Sequence, residues 1–172
     1  VMWKSIGIVI GVLIVAFFAL GFIKPEIQVA SSTVISRSPE VVWKVFTDRP
    51  RTKQWLTGLE SMETISGAHL AVGSHHRLTF REGNRWIEMD EVVTAVEPGK
   101  LYAFNSSMDV MKGSTYVRLA PKDGGTELAF ESIYGGRSMF WRSILVVMQG
   151  TIARREAGDL AKLKALVQAE PQ

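Results

Sequence analysis

Two turn dipeptides constrain this chain more than any other feature, because each fixes which residues face each other across a hairpin. Gly83-Asn84 reads as a two-residue loop with glycine first. Phe80 then opposes Ile87, Leu78 opposes Met89 and His76 opposes Glu91. The other face pairs Arg81 with Trp86, Thr79 with Glu88 and Arg77 with Asp90. The first face is apolar except for its last pair, and the second carries cation–π and charge pairs suited to water. A one-residue slip would destroy both patterns. Asp123-Gly124 sets Leu119 opposite Leu128, Val117 opposite Phe130 and Thr115 opposite Ser132. Its outward pairs are Arg118 with Ala129 and Tyr116 with Glu131. Pro98-Gly99, taken as a tight turn, places Val93 opposite Phe104 and Ala95 opposite Tyr102.

Around these hairpins the elements fall in order. Residues 27–36 alternate as a strand. Ser38-Pro39-Glu40 opens a helix, with Ser as N-cap, Pro in the first turn and an acid at the positive dipole end. Pro50 starts a second short helix that reaches Trp55. Strands then run from Leu59 to Tyr134, and a long helix runs from Ser138 to Gln168. Ile144, Val147, Met148, Ile152, Leu160, Leu163 and Val167 form its apolar stripe. Arg155 and Asp159 are expected to pair on its wet side.

Residues 6–23 form one unbroken apolar run between Lys4 and Lys24. At ~1.5 Å per residue it spans roughly 27 Å, close to a bilayer's hydrocarbon thickness. It lacks the polar face of a soluble helix. A signal peptide has a shorter apolar region, although Ala19 and Gly21 offer a small-residue cleavage pattern. The expected division is a membrane anchor at 1–24 and one domain at 25–172. Gly7 and Gly11 fit a small-xxx-small contact, so a weak homodimer through them is one option. Lys4 favours the leading end inside, which puts the domain on the extracytoplasmic face of the cell membrane. The anchor supplies no part of the domain's core pattern.

There are no cysteines, so disulfides, thiolate catalysis and Cys-based zinc sites are excluded. Setting aside Lys4 and Lys24 reduces 20 basic residues to 18, against 17 acidic, which leaves no electrostatic footprint for nucleic acid. Three histidines without ligand spacing predict no metal, and no cofactor fingerprint occurs.

The stretch SSTVISRSPEVVWKVFTD at 31–48, Trp55, and DLAKLKALVQ at 159–168 together resemble the SRPBCC superfamily, also called Bet v 1/START-like. The resemblance covers residues 27–168 and rests on several moderate signals. It implies an α+β helix-grip fold: a curved seven-stranded antiparallel sheet wrapped on a long C-terminal helix, with two short helices after the first strand. It also implies binding or transport of a hydrophobic small molecule or lipid, and many relatives carry a polyketide cyclase/dehydrase label.

The fold carries a physical consequence of its own. Seven strands make a sheet about 29 Å wide, whereas one helix is ~10–12 Å across. Core side chains or a ligand must fill the difference. The expected cavity lining is Trp55, His76, Leu78, Phe80, Met89, Glu91, Phe104, Val117, Phe130, Met148 and Ile152. His76 and Glu91 are the weak catalytic candidates. The alternative roles for this pair are anchoring a polar head group, or a structural contact half solvated near the sheet's open end. Three readings follow: a ligand-binding protein, a cyclase/dehydratase-like enzyme, or an interaction domain with a filled core. Arg137, Met139, Phe140, Trp141 and Arg142 form a basic-aromatic cluster, either a membrane-facing edge or an ordinary helix start.

Overall fold

The computed structural model describes residues 2–171; the Met2 and Lys4 side chains, and with Lys4 its expected role in orientation, lie outside the described residues. Helix α1 spans Met2–Ile23 and strand β1 spans Glu26–Ile35. Two short helices follow, α2 (Pro39–Phe46) and α3 (Arg49–Trp55). Strands β2 (Leu59–Ser66), β3 (His75–Glu82), β4 (Arg85–Glu97), β5 (Leu101–Ser107), β6 (Met111–Lys122) and β7 (Gly125–Gly136) form a meander. Helix α4 (Met139–Gln168) closes the chain. The sheet is antiparallel with order β1-β7-β6-β5-β4-β3-β2, so the first strand returns to pair with the last. This is the helix-grip arrangement.

Both hairpin registers hold. Leu78 faces Met89 and His76 faces Glu91; Val117 faces Phe130 and Thr115 faces Ser132. On the outer face the Arg81 guanidinium lies 5.6 Å from the Trp86 ring. The Pro98-Gly99 hairpin departs from its expected register. Val93 does oppose Phe104, but a bulge follows, so Ala95 opposes Ala103 and Val96 opposes Tyr102. The extra residue lets Val96 rather than Ala95 join the inner face.

The main core packs α2 and α3 between the sheet and the second half of α4. It joins Ile35, Val42, Trp43, Phe46, Trp55, Val117, Leu128, Phe130, Leu160 and Leu163. Ser38 precedes α2 with Pro39 at its first turn, and the Ser138 hydroxyl accepts from the Trp141 amide to start α4. The expected Arg155–Asp159 pair does not form. Arg155 reaches Glu82 and the Thr57 carbonyl, while Asp159 is buried and accepts from the Thr57 amide and hydroxyl. Tertiary partners outcompete a surface i,i+4 contact because Asp159 lies on the face that meets the α3–β2 loop.

Helix α1 exposes nearly all of its apolar side chains, and Ser5–Ile23 is long and apolar enough to cross a membrane. The helix nevertheless touches the domain. Its last turns lie against the start of α4, with Gly21 buried where a Cβ would sit 2.5 Å from Ser143 Oγ and 2.8 Å from the Met139 carbonyl oxygen. The Phe17 ring lies 5.8 Å from that of Phe140 in a tilted pair, and Lys24 donates to Gln149 at 2.7 Å. Only a residue without a side chain allows this approach.

Candidate functional site: a polar band inside the grip

One row of registered residues crosses the concave face: Thr64, His76, Glu91, Ser106, Gly113, Tyr134 and Ile27. His76, Glu91 and Ser106 on this row are all buried. Buried polar groups in such number are costly unless paired, so their partners decide what the row can do.

The expected contact between His76 and Glu91 is replaced by two separate ones. Tyr102 donates its hydroxyl to Glu91 Oε1 at 2.6 Å. Arg49, at the first turn of α3, brings Nη2 within 2.6 Å of His76 Nδ1 and 2.9 Å of Nε2. Neither His76 nor Glu91 is half solvated; they are 1% and 4% exposed. Burial, and then the Arg49 charge, push the His76 imidazole down to about 4, so it is neutral at pH 7. Burial raises the Glu91 carboxyl, against the Tyr102 hydrogen bond and the Arg49 charge. Burial and the neighbouring Glu91 likewise raise the Tyr102 phenol. A neutral imidazole has one acceptor nitrogen. Arg49 occupies it, so His76 has no acceptor left for a substrate proton in this arrangement.

A second polar group lies at the other end of the row. Tyr134 donates to Glu156 Oε1 on α4 at 2.7 Å, and Thr115 and Ser132 meet at 3.2 Å beside it. Burial is the main cause that raises both the Glu156 carboxyl and the Tyr134 phenol. Gly113 makes the placement possible. A Cβ there would lie 2.5 Å from the Tyr134 ring, so the ring lies over bare backbone. Among the described residues, buried polar atoms without a partner include Arg49 Nε beside His76, Glu156 Oε2 beside Tyr134, and Trp55 Nε1 in the main core.

The predicted lining residues divide among several clusters. Trp55, Val117, Phe130 and Phe104 belong to the main core, with Trp55 6.0 Å from Phe46 and 6.4 Å from Phe130. Leu78, Phe80 and Met89 join Leu59 in a cluster under β2 to β4. Ile152 packs with Ile27, Val29 and Leu145. Met148 is 45% exposed. An open groove of about 440 Å³ runs between β1 and α4, lined by Ser31, Thr33, Ala157, Ala161 and Lys164, and none of the predicted lining residues borders it. Sequence reasoning missed Arg49, Tyr102, Tyr134 and Glu156 as site residues. The 134–113 register was readable from the Asp123-Gly124 turn, but nothing local marks Arg49 or Glu156.

Residues 26–168 match the family model described as polyketide cyclase / dehydrase and lipid transport. The chain belongs to this family. As an SRPBCC-type member it shares its fold with solved structures of low sequence identity. Ara h 8.0201 is 13% identical with a TM-score of 0.67, over 84% of this chain and 99% of that one. The ZhuI aromatase/cyclase from Streptomyces sp. R1128 is 13% identical with a TM-score of 0.67, over 83% and 94%. TTHA0849 from Thermus thermophilus is 18% identical with a TM-score of 0.67, over 83% and 98%. No functionally curated protein matches the chain.

Proposed function

We propose that this protein binds a hydrophobic small molecule or lipid between the concave sheet and α4, and that α1 tethers it to a membrane. The observation that carries the reading is the set of buried polar atoms without partners among the described residues, Arg49 Nε and Glu156 Oε2 beside the polar band and Trp55 Nε1 in the apolar core next to it. Such groups hold their free energy cost only where a partner compensates it, and a ligand head group with donors and acceptors would do so. The family description, which includes lipid transport, agrees in chemistry. Native mass spectrometry of the detergent-extracted full chain tests it. The expected result is a discrete added mass that is lost on organic extraction and restored by a lipid extract. Wild-type protein that carries no added mass and takes up none would overturn the reading.

A cyclase/dehydrase-like reaction is the second reading. It is favoured by the raised Glu91 and Glu156 carboxyls, which are protonated acids over a wider pH range than free ones. Here Glu91 with Tyr102, rather than His76, would supply the proton. Turnover of a poly-β-ketone substrate that collapses in Glu91→Gln while binding persists would establish it. Binding without turnover in wild type would remove it.

A further inference from the structure

Helix α1 does more than lead into the domain; it runs beside α4 in the same direction. Phe17 meets Phe140, Gly21 meets Met139 and Ser143, and Lys24 meets Gln149. Seven residues separate Phe17 from Lys24, a rise of about 10 Å. Gly21, against which Met139 and Ser143 pack, is three residues from Lys24, so the first turn of α4 lies about 5 Å below Lys24 along the α1 axis and the Phe140 ring reaches the level of Phe17, within the depth of an interfacial layer. At that depth the domain exposes Phe140 (47%) and Trp141 (36%), and Arg137 beside them is exposed. Arg137 also ties in the β5–β6 turn, donating to the Met108 carbonyl at 2.7 Å and to Ser107 Oγ at 2.6 Å, while the Val110 carbonyl accepts from its amide. The charged groups around this end are Lys24, Arg137, Arg142 and Lys112, against Glu26 and Asp109, a cationic excess.

Resting on the reading of α1 as a membrane span, we propose that the start of α4 and the β5–β6 turn form a membrane-docking edge that sits in the headgroup layer of an anionic bilayer. Phe140 and Trp141 enter the interface, and Arg137 and Arg142 meet lipid phosphates, the arrangement that amphipathic side chains favour. Registration places the polar band close to the same edge. Tyr134 lies only two residues before the end of β7, and Ser106 one before the end of β5. The apolar core around Leu160 and Leu163 fills the far end. The docked edge thus holds the polar end of the grip at the bilayer surface, so a lipid-like ligand would pass between membrane and interior without crossing water.

The absence of cysteines allows single-site labelling of the full chain. Cysteine would replace Val12 in α1, Trp141 at the edge, or Ala120 on the outer face of β6 toward the far hairpin. Each labelled chain is reconstituted in phosphatidylcholine–phosphatidylglycerol vesicles carrying nitroxide lipids, with circular dichroism confirming the fold. We expect loss of emission at 12 with deep nitroxides and loss at 141 with shallow ones. Emission at 120 should be unchanged with either. Quenching at 12 with no quenching at 141 overturns the docking edge and leaves the tether standing. No quenching at 12 overturns the tether, and the docking edge with it. Quenching at 141 and 120 alike would show non-specific adsorption and equally overturn the edge. Arg137→Glu, which adds an acid at that edge, should reduce quenching at 141 but not at 12; unchanged quenching would overturn the phosphate contact.

Discussion

Two buried ionisable residues set the pH behaviour of the polar band, and they act with opposite signs. Glu91 has its carboxyl raised by burial. Its contribution is therefore full below the unfolded value and is lost as pH rises through the folded one. Glu91→Gln keeps an acceptor for the Tyr102 hydroxyl and removes the charge. Thermal melts should show this variant gaining stability over wild type toward pH 8 and converging with it near pH 4. A pH-independent difference would mean that Glu91 is an ordinary carboxylate. His76 is held down to about 4, whereas the unfolded chain protonates near 6.5. Wild type should lose stability as pH falls through that window, because only the unfolded state takes the proton. His76→Asn should flatten the loss, at some cost from the missing Arg49 contact. Denaturant titrations between pH 7 and 4.5 check this, and an unchanged acid slope would show that His76 is already charged in the fold.

Between elements, small residues and one buried acid decide the packing. Gly113 lets β6 pass under the Tyr134 ring, and a Cβ would also meet the Ile133 carbonyl at 2.7 Å. Backbone cannot give way as a flexible side chain can. Gly113→Ala should cost roughly 1–3 kcal/mol, read as a fall in melting temperature of about 2–4 °C per kcal/mol. Asp159 is the buried member of the contacts between α4 and the α3–β2 loop, accepting from the Thr57 amide with Lys162 Nζ 3.6 Å away, while Arg155 donates to the Thr57 carbonyl. Asp159→Ala would leave the Thr57 amide unpaired and should cost about 1–3 kcal/mol. Faster hydrogen exchange in residues 56–59 would locate the effect; uniform loss across the chain would contradict it.

For the whole molecule, α1 leans on the start of α4 without entering the core. Among the described residues, none from α1 belongs to the three apolar core clusters. A chain of residues 25–172 should therefore fold, with a melting transition within a few degrees of the full protein. Exchange protection should fall in the first two turns of α4, where Gly21 and Phe17 no longer cover Ser143 and Phe140. A molten product would show that α1 belongs to the fold rather than leaning on it.

The sequence determined the architecture through local rules. Turn dipeptides fixed two hairpin registers, Ser38-Pro39 marked the start of α2, and periodicity found Leu160, Leu163 and Val167 on the buried face of α4, although Val147 and Met148 of the same stripe are exposed. These signals act over a few residues and need no knowledge of the rest of the chain. The candidate site was only half legible for the same reason. His76 and Glu91 could be placed opposite each other from one turn, yet their hydrogen bonds go to Arg49 and Tyr102. Arg49 is 27 residues from His76, and Glu156 is 22 from Tyr134. The bulge in β4, the escape of Asp159 from Arg155, and the seat of Gly21 on α4 were likewise decided by long-range contact. A buried polar group takes whichever partner the tertiary structure brings within about 3 Å. That choice is made by how elements pack, not by spacing along the chain.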